Sequence, residues 1–201
     1  MPAALRVPGR AARRMAIVAQ GLDGPAPRPR PDAAAVRAVA ERLGCLQLDP
    51  TSVVARSHLL VLHARLGAVD PVVVDRVAYE ERALFEYWAH EASYVCTSDL
   101  AIHADRMRSW PGGDTVPARR AAAWLEANAG FRAHVLARLA AEGPLPIGAF
   151  ENRAAVPHHS DPWGTPTDRS VGRMLDILWM RGEIGIARRE GGTRLWDLFE
   201  R

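Results

Sequence analysis

The segment from Asp168 to the C-terminus constrains the fold more than any other. DRSVGRMLDILWMRGEI places Val171, Leu175, Leu178 and Trp179 at helical spacing, which puts one apolar stripe on a helix over 168–181. Two strand-like runs follow at once, 184–189 and 193–198, separated by Gly191 and Gly192. Glycines there favour a tight hairpin, because the central turn residues need a backbone conformation that other residues resist. Upstream lie two helical segments, PARRAAAWLEANAG and FRAHVLARLAAEG, and a turn, GPLPIGAFEN, leading to a short helix. Helix, short helix, helix and hairpin is the plan of a winged helix. The hairpin is then the wing, and 168–181 takes the recognition position. Such modules also serve protein contacts, so the plan alone does not assign DNA binding.

The first half has the same ingredients. ARRMAIVAQGL reads as a helix stopped by Gly21, and DGPAPRPRP as an extended loop. Asp32 caps an alanine-rich helix ending at Gly44, and CLQLD reads as a strand over 45–49. VVARSHLLVLHARLG aligns Leu59, Leu62 and Leu66 on one helical face. Asp70 and Pro71 form a helix start, ALFEYWAHEASYVC a hairpin, and Thr97 or Ser98 a further cap. The expected fold class is mainly α with small β hairpins, an α+β chain of tandem winged-helix modules. The modules are expected at 1–115 and 116–201.

Composition narrows the function classes. No apolar run approaches the ~20 residues of a membrane span, and RRMAIVAQG is too short for a signal core of roughly 7–15 apolar residues. The expected location is the cytoplasm, with the nucleoid, and no membrane partner. Cys45 and Cys96 lie in apolar runs and read as buried thiols. No metal-ligand spacing occurs; HHSD at His158–Asp161 sits in a Pro/Gly-rich loop. Neither a metal nor another cofactor is expected. All 26 basic side chains are arginine. Without lysine, any imine chemistry falls to the N-terminal amine, while arginine suits bidentate phosphate contacts. Residues 1–50 carry eight arginines against four acidic residues, and residues 51–100 four against seven.

Within LGCLQLDP, Gln47 and Asp49 stand two apart in the strand-like run, a spacing that puts both on one face. Aspartate is depleted in strands. Two readings stay open on these residues alone. An amide and a carboxylate are aimed together at a substrate, or Asp49, directly before Pro50, is a turn residue and Gln47 an exposed edge.

The ordered set Gln47, Leu48, Asp49, Val54, Arg56, His58, Arg65, Leu66 and Gly67, with LFEYWAHEAS, ARRMAIVAQGL and RGEIGIARREGGTRLWDLFER, resembles the AlkZ/YcaQ-like family of winged-helix DNA glycosylases. The resemblance runs along essentially the whole chain. It implies a monofunctional enzyme that hydrolyses the N-glycosidic bond of N7-alkylated purines in double-stranded DNA and, in this family, unhooks interstrand crosslinks. The family sets two polar residues around an apolar one. This sequence has the Gln-apolar-Asp form, so Gln47 and Asp49 are the expected catalytic pair. Other members continue beyond the LWDLFER region, which makes this an apparently shortened member.

Arg56 and His58 are candidate DNA contacts on the next helix, or alternatively a packing pair at its start. His90 and Glu91 either line the site or satisfy each other. Arg169, Arg173 and Arg181 on the long helix, and Arg188, Arg189 and Arg194 on the wing, are candidate phosphate contacts. Asp168, Asp176, Glu183 and Glu190 are interleaved with them, as on an ordinary solvated face. A non-catalytic winged-helix DNA-binding protein and an inactive shortened paralogue are the alternatives.

Overall fold

A computed structural model describes residues 5–24, 30–49, 51–160 and 167–201. The chain divides into two compact units, Met1–Thr97 and Ser98–Arg201.

The first unit opens with α1 (Gly9–Ala19), none of whose residues is buried. Next comes α2 (Ala33–Leu43), capped by the Asp32 carboxylate, which accepts from Ala35 N at 2.9 Å. Gly44 ends it in the left-handed conformation, φ 78°, which spares the strain a side chain would bring. The strand β1 (Cys45–Gln47) follows, then α3 (Ser57–Leu66) and α4 (Pro71–Asp75), with Asp70 as N-cap accepting from Val72 N. From α4 the chain passes into a π turn over Arg76–Glu80, closed by Glu81 N donating to Arg76 O at 2.8 Å. A hairpin, β2 (Leu84–Trp88) and β3 (Ala92–Cys96), completes the unit. The antiparallel sheet has the order β1-β3-β2. Val36, Ala40, Leu46, Leu62, Val77 and Leu84 form its core, with Leu59 and Leu66 packed at the margin. The leucine stripe expected on α3 is therefore the face that is buried.

Glu86 and Tyr94 face each other across β2 and β3, and both are buried. The Tyr79 hydroxyl donates to Glu86 Oε1 at 2.5 Å and meets the Tyr94 hydroxyl at 3.0 Å. Burial first, and the Glu86 carboxylate second, push the Tyr79 phenol far above its ordinary value.

The second unit contains α5 (Leu100–Arg108), α6 (Val116–Ala127) and α7 (Ala129–Glu142). After them come β4 (Leu145–Pro146), a 3-10 turn over Ile147–Ala149, and the short pair β5 (His159–Ser160) and β6 (Thr167–Asp168). Last are α8 (Ser170–Met180) and the hairpin β7 (Ile184–Glu190) and β8 (Thr193–Leu198). Their sheet has the order β4-β8-β7. Met174, Leu175, Ile177, Leu178 and Trp179 of α8 are buried, along with Ile184, Ile186, Leu195 and Trp196 of the hairpin. Glu183, at the foot of the hairpin, accepts from both Arg132 on α7 (2.8 Å) and Arg181.

The two units repeat one order. Each has a helix, a short strand, a helical turn or helix, a second helix and a hairpin, and each first strand pairs with the last. The chain is mainly α with small antiparallel sheets, as its sequence indicates. Local details differ. The strand expected over 45–49 ends at Gln47, because the chain bends there toward α3. α3 starts at Ser57, after bends over Val53–Ala55. The cap position of α5 is Asp99, since Thr97–Asp99 forms a 3-10 turn first. Asp161 of the HHSD loop lies outside the described residues.

Candidate functional site

Gln47 is the last residue of β1 and pairs with Ser93. One further bond, Leu48 N to Ala92 O at 2.7 Å, carries the pairing slightly onward. The backbone then turns around one hydroxyl. Ser57, at the first position of α3, donates from Oγ to Gln47 O at 2.6 Å and accepts from Asp49 N at 3.0 Å. This clamp fixes the chain on both sides of Leu48 and ties the strand end to α3.

Asp49 therefore lies beyond the strand, and its carboxylate turns back on its own chain. Thr51 N donates to Asp49 Oδ1 at 2.7 Å. That is the turn geometry aspartate favours. The Thr51 backbone bond first, and its hydroxyl second, hold the Asp49 carboxyl below the ordinary aspartate value. Asp49 is half-exposed, so an ionised carboxylate meets solvent at a fixed place. The turn reading of Asp49 is right about its backbone, and the same turn presents the charge.

The Gln47 side chain is also held. His90, in the tip between β2 and β3, lies with Nε2 at 3.2 Å from Gln47 Oε1. With the ring proton on Nε2, the imidazole donates to the amide oxygen, and the amide NH2 is left as the donor group. Glu91 accepts from Ser93 Oγ through its backbone oxygen at 3.0 Å. Amide, carboxylate, imidazole and hydroxyl thus come from β1, the following turn, the hairpin tip and the start of α3.

Arg56 is the N-cap residue of α3 and is half-buried, with no ion pair among the described residues. His58 is placed differently. It is 6% exposed, and its ring meets Tyr94 edge-on at 5.6 Å, inside the unit rather than at its surface. Arg65 donates to Gln20 O (2.8 Å) and Val61 O (2.8 Å), so it binds the segment after α1 to α3. Much of the motif around Gln47 and Asp49 is therefore scaffold: Arg65 ties, Leu66 packs, and Gly67 ends α3 at φ 83°.

The arginines of the second unit divide by what they touch. Arg169 and Arg173, at the start of α8, make no ion pair among the described residues. Arg181 binds Glu183. Arg188 is paired with Glu190 at 2.9 Å, and Arg189 donates to Gly192 O at 3.1 Å. Arg194 lies over the rings of Trp179 and Trp196, 5.4 and 5.6 Å from their centroids, a cation–π seat. Much of the hairpin's charge is thus already engaged, within the hairpin and against α8.

Ser57 and Thr51 are positioning residues that sequence reasoning missed. Thr51 had a local signal, since Asp followed two residues later by Thr is an Asx-turn pattern. Ser57 had none, because its partners lie ten and eight residues back.

A family model described as "DNA glycosylase AlkZ-like" matches residues 40–201. This span includes Gln47, Asp49, His90 and the C-terminal hairpin, and excludes α1. No solved structure matches the chain.

Proposed function

This chain belongs to the AlkZ-like DNA glycosylase family, and from that premise we propose that it hydrolyses the N-glycosidic bond of N7-alkylated purines in double-stranded DNA, including those joined in interstrand crosslinks. The observation that carries the reading is Asp49, an ionised carboxylate locked by Thr51 and set two residues from an amide that His90 holds.

N7-alkylation makes the purine cationic, so the base departs without protonation by a strong acid. As the bond from the sugar to N9 breaks, its electron pair goes to the base and positive charge develops on the sugar. Asp49 stabilises that charge. A water on the face opposite the base forms the new bond to the sugar carbon, and its proton passes to Asp49. The Gln47 NH2 group orients the water or the sugar. Because the carboxyl is held low rather than raised, the base form is present throughout the neutral range. Arg56 lies nearby in sequence as a phosphate contact. In the second unit, the element order and the β4-β8-β7 sheet support a winged helix with α8 in the recognition position. There Arg169 and Arg173, which make no ion pair among the described residues, are the α8 arginines that would meet phosphate.

Single-turnover incubation with duplex DNA carrying one 7-methylguanine tests the proposal. The expected products are free base and an intact abasic strand, with no adduct on borohydride treatment, since no lysine supplies a side-chain amine for the imine that β-elimination needs. Strand nicking or a trapped adduct rejects the monofunctional step. Duplex binding without excision favours a non-catalytic DNA-binding protein.

A further inference from the structure

We propose that α1 is a second DNA-contacting element, whose arginine face binds the phosphate backbone. The inference rests on the proposed DNA substrate but not on the proposed chemistry, and α1 lies outside the span the family model matches.

Residues 5–22 contain Arg6, Arg10, Arg13 and Arg14 and no acidic residue. At the helical rotation of ~100° per residue, Arg10, Arg13 and Arg14 fall within an arc of about 100° on one side of α1. All three are exposed, and none makes an ion pair among the described residues. The arginines of the wing contrast with them, being engaged with Glu190, Gly192 and two tryptophans.

The helix is nonetheless anchored. Arg42 of α2 donates to Ala19 O at 3.2 Å and also to Val18 O, and Arg65 of α3 donates to Gln20 O at 2.8 Å. These guanidinium groups meet the last carbonyls of the helix, of which Val18 O also accepts from Gly21 N at 2.9 Å, at the end where the helix dipole favours positive charge. So α1 is tied to its unit by its last turn, and its length stays open on every side. An anchored helix with an uncompensated basic face suits a polyanion.

The opposite face argues for DNA over a lipid surface. It is built mainly from Ala11, Ala12, Ala16 and Ala19 with Met15, while exposed Ile17 falls within the arginine arc and Val18 just beyond it, so the bulky apolar side chains are not gathered opposite the arginines. Interfacial membrane helices instead carry bulky Trp, Phe or Leu side chains on that face.

The test uses the full chain and the triple variant R10A/R13A/R14A, with affinity for undamaged duplex measured by fluorescence anisotropy across a salt series. Alanine preserves helicity, and none of the three side chains takes part in the anchor. Each arginine engaged contributes about 0.9 to the slope of log affinity against log salt, so the variant's slope is expected to be shallower by about 2.7. A control of equal charge change, R108A/R119A/R153A, removes exposed arginines that are already ion-paired and is expected to shift the slope less. An unchanged slope in R10A/R13A/R14A overturns the inference, as does an equal shift in the control. Loss of binding to phosphatidylserine vesicles, or of self-association in sedimentation, with DNA binding intact would also overturn it, assigning the face to a membrane or a second copy. Wild-type protein that fails to bind duplex at low salt defeats the proposed function itself. Wild-type binding and excision with matching slopes defeats only this inference.

Discussion

Asp49→Asn separates charge from shape at the candidate site. Asparagine keeps an oxygen where Oδ1 accepts from Thr51 N, so the 2.7 Å bond and its turn survive. The Ser57 clamp uses only the backbone at 47 and 49 and is untouched. What disappears is the negative charge and the capacity to take a proton from water. A positioned acid–base group contributes roughly 10²–10⁴-fold. Asp49 is half-exposed, and solvent weakens its field, so the lower part of that range applies and the expected loss is roughly 10²–10³-fold. The assay is single-turnover excision of 7-methylguanine with enzyme in excess, scoring abasic sites by alkaline cleavage and subtracting spontaneous loss. Affinity for the duplex is expected to change less than about twofold, since it comes mainly from phosphate contacts. The pH profile supplies a second reading. The Asp49 carboxyl is lowered, so its charged form persists into acid, and the wild-type rate falls only as pH drops below the ordinary aspartate range. The Asn variant lacks that limb. Equal excision by the two proteins would remove Asp49 from the chemistry. A matching loss of duplex binding would show that the substitution had disturbed the surface rather than the reaction.

Three other outcomes follow from particular contacts. His90→Ala removes the 3.2 Å bond to Gln47 Oε1; one neutral hydrogen bond, about 0.5–1.5 kcal/mol, corresponds to a two- to tenfold slower excision step at saturating DNA, with duplex affinity unchanged. Gly182→Ala faces a backbone at φ +65° and a Cβ 2.5 Å from Met107 Sδ; left-handed strain and displacement of Met107 predict a loss of about 1–3 kcal/mol, read from denaturant unfolding, and because M107A removes the clashing sulfur, the loss in the double variant is expected to be less than the sum of the two single losses. Tyr79→Phe takes the hydroxyl from buried Glu86 and is expected to cost about 1–3 kcal/mol. In the wild type the raised Tyr79 pKa adds stability that is complete below the unfolded value of about 10 and is lost as pH rises through and beyond it. Unfolding curves at alkaline pH should therefore converge for the two proteins.

Helices and hairpins were legible because their signals lie within a turn or two of chain. Asp32 and Asp70 cap the helices expected of them. The α3 leucine stripe is buried, and the Gly191–Gly192 turn joins two paired strands. Periodicity and capping depend on near neighbours, and near neighbours are printed in the sequence. Which residue serves a motif and which serves the scaffold was not legible. Arg65 and His58 stand in the same motif as Asp49, yet one ties α3 to the segment after α1 and the other packs on Tyr94. The end of β1 at Gln47 was not legible either, because the turn after it is held by Ser57, ten residues away. Nor does arginine spacing reveal which guanidinium groups are free. Arg188, Arg189 and Arg194 look as available as Arg10, Arg13 and Arg14 until the hairpin brings Glu190, Gly192 and two tryptophans within reach. The Arg188 and Arg189 contacts are local and turn on side-chain geometry that spacing does not fix, while those of Arg65, His58, Ser57 and of Arg194 with Trp179 join residues remote along the chain, which meet only once helices and sheets have packed.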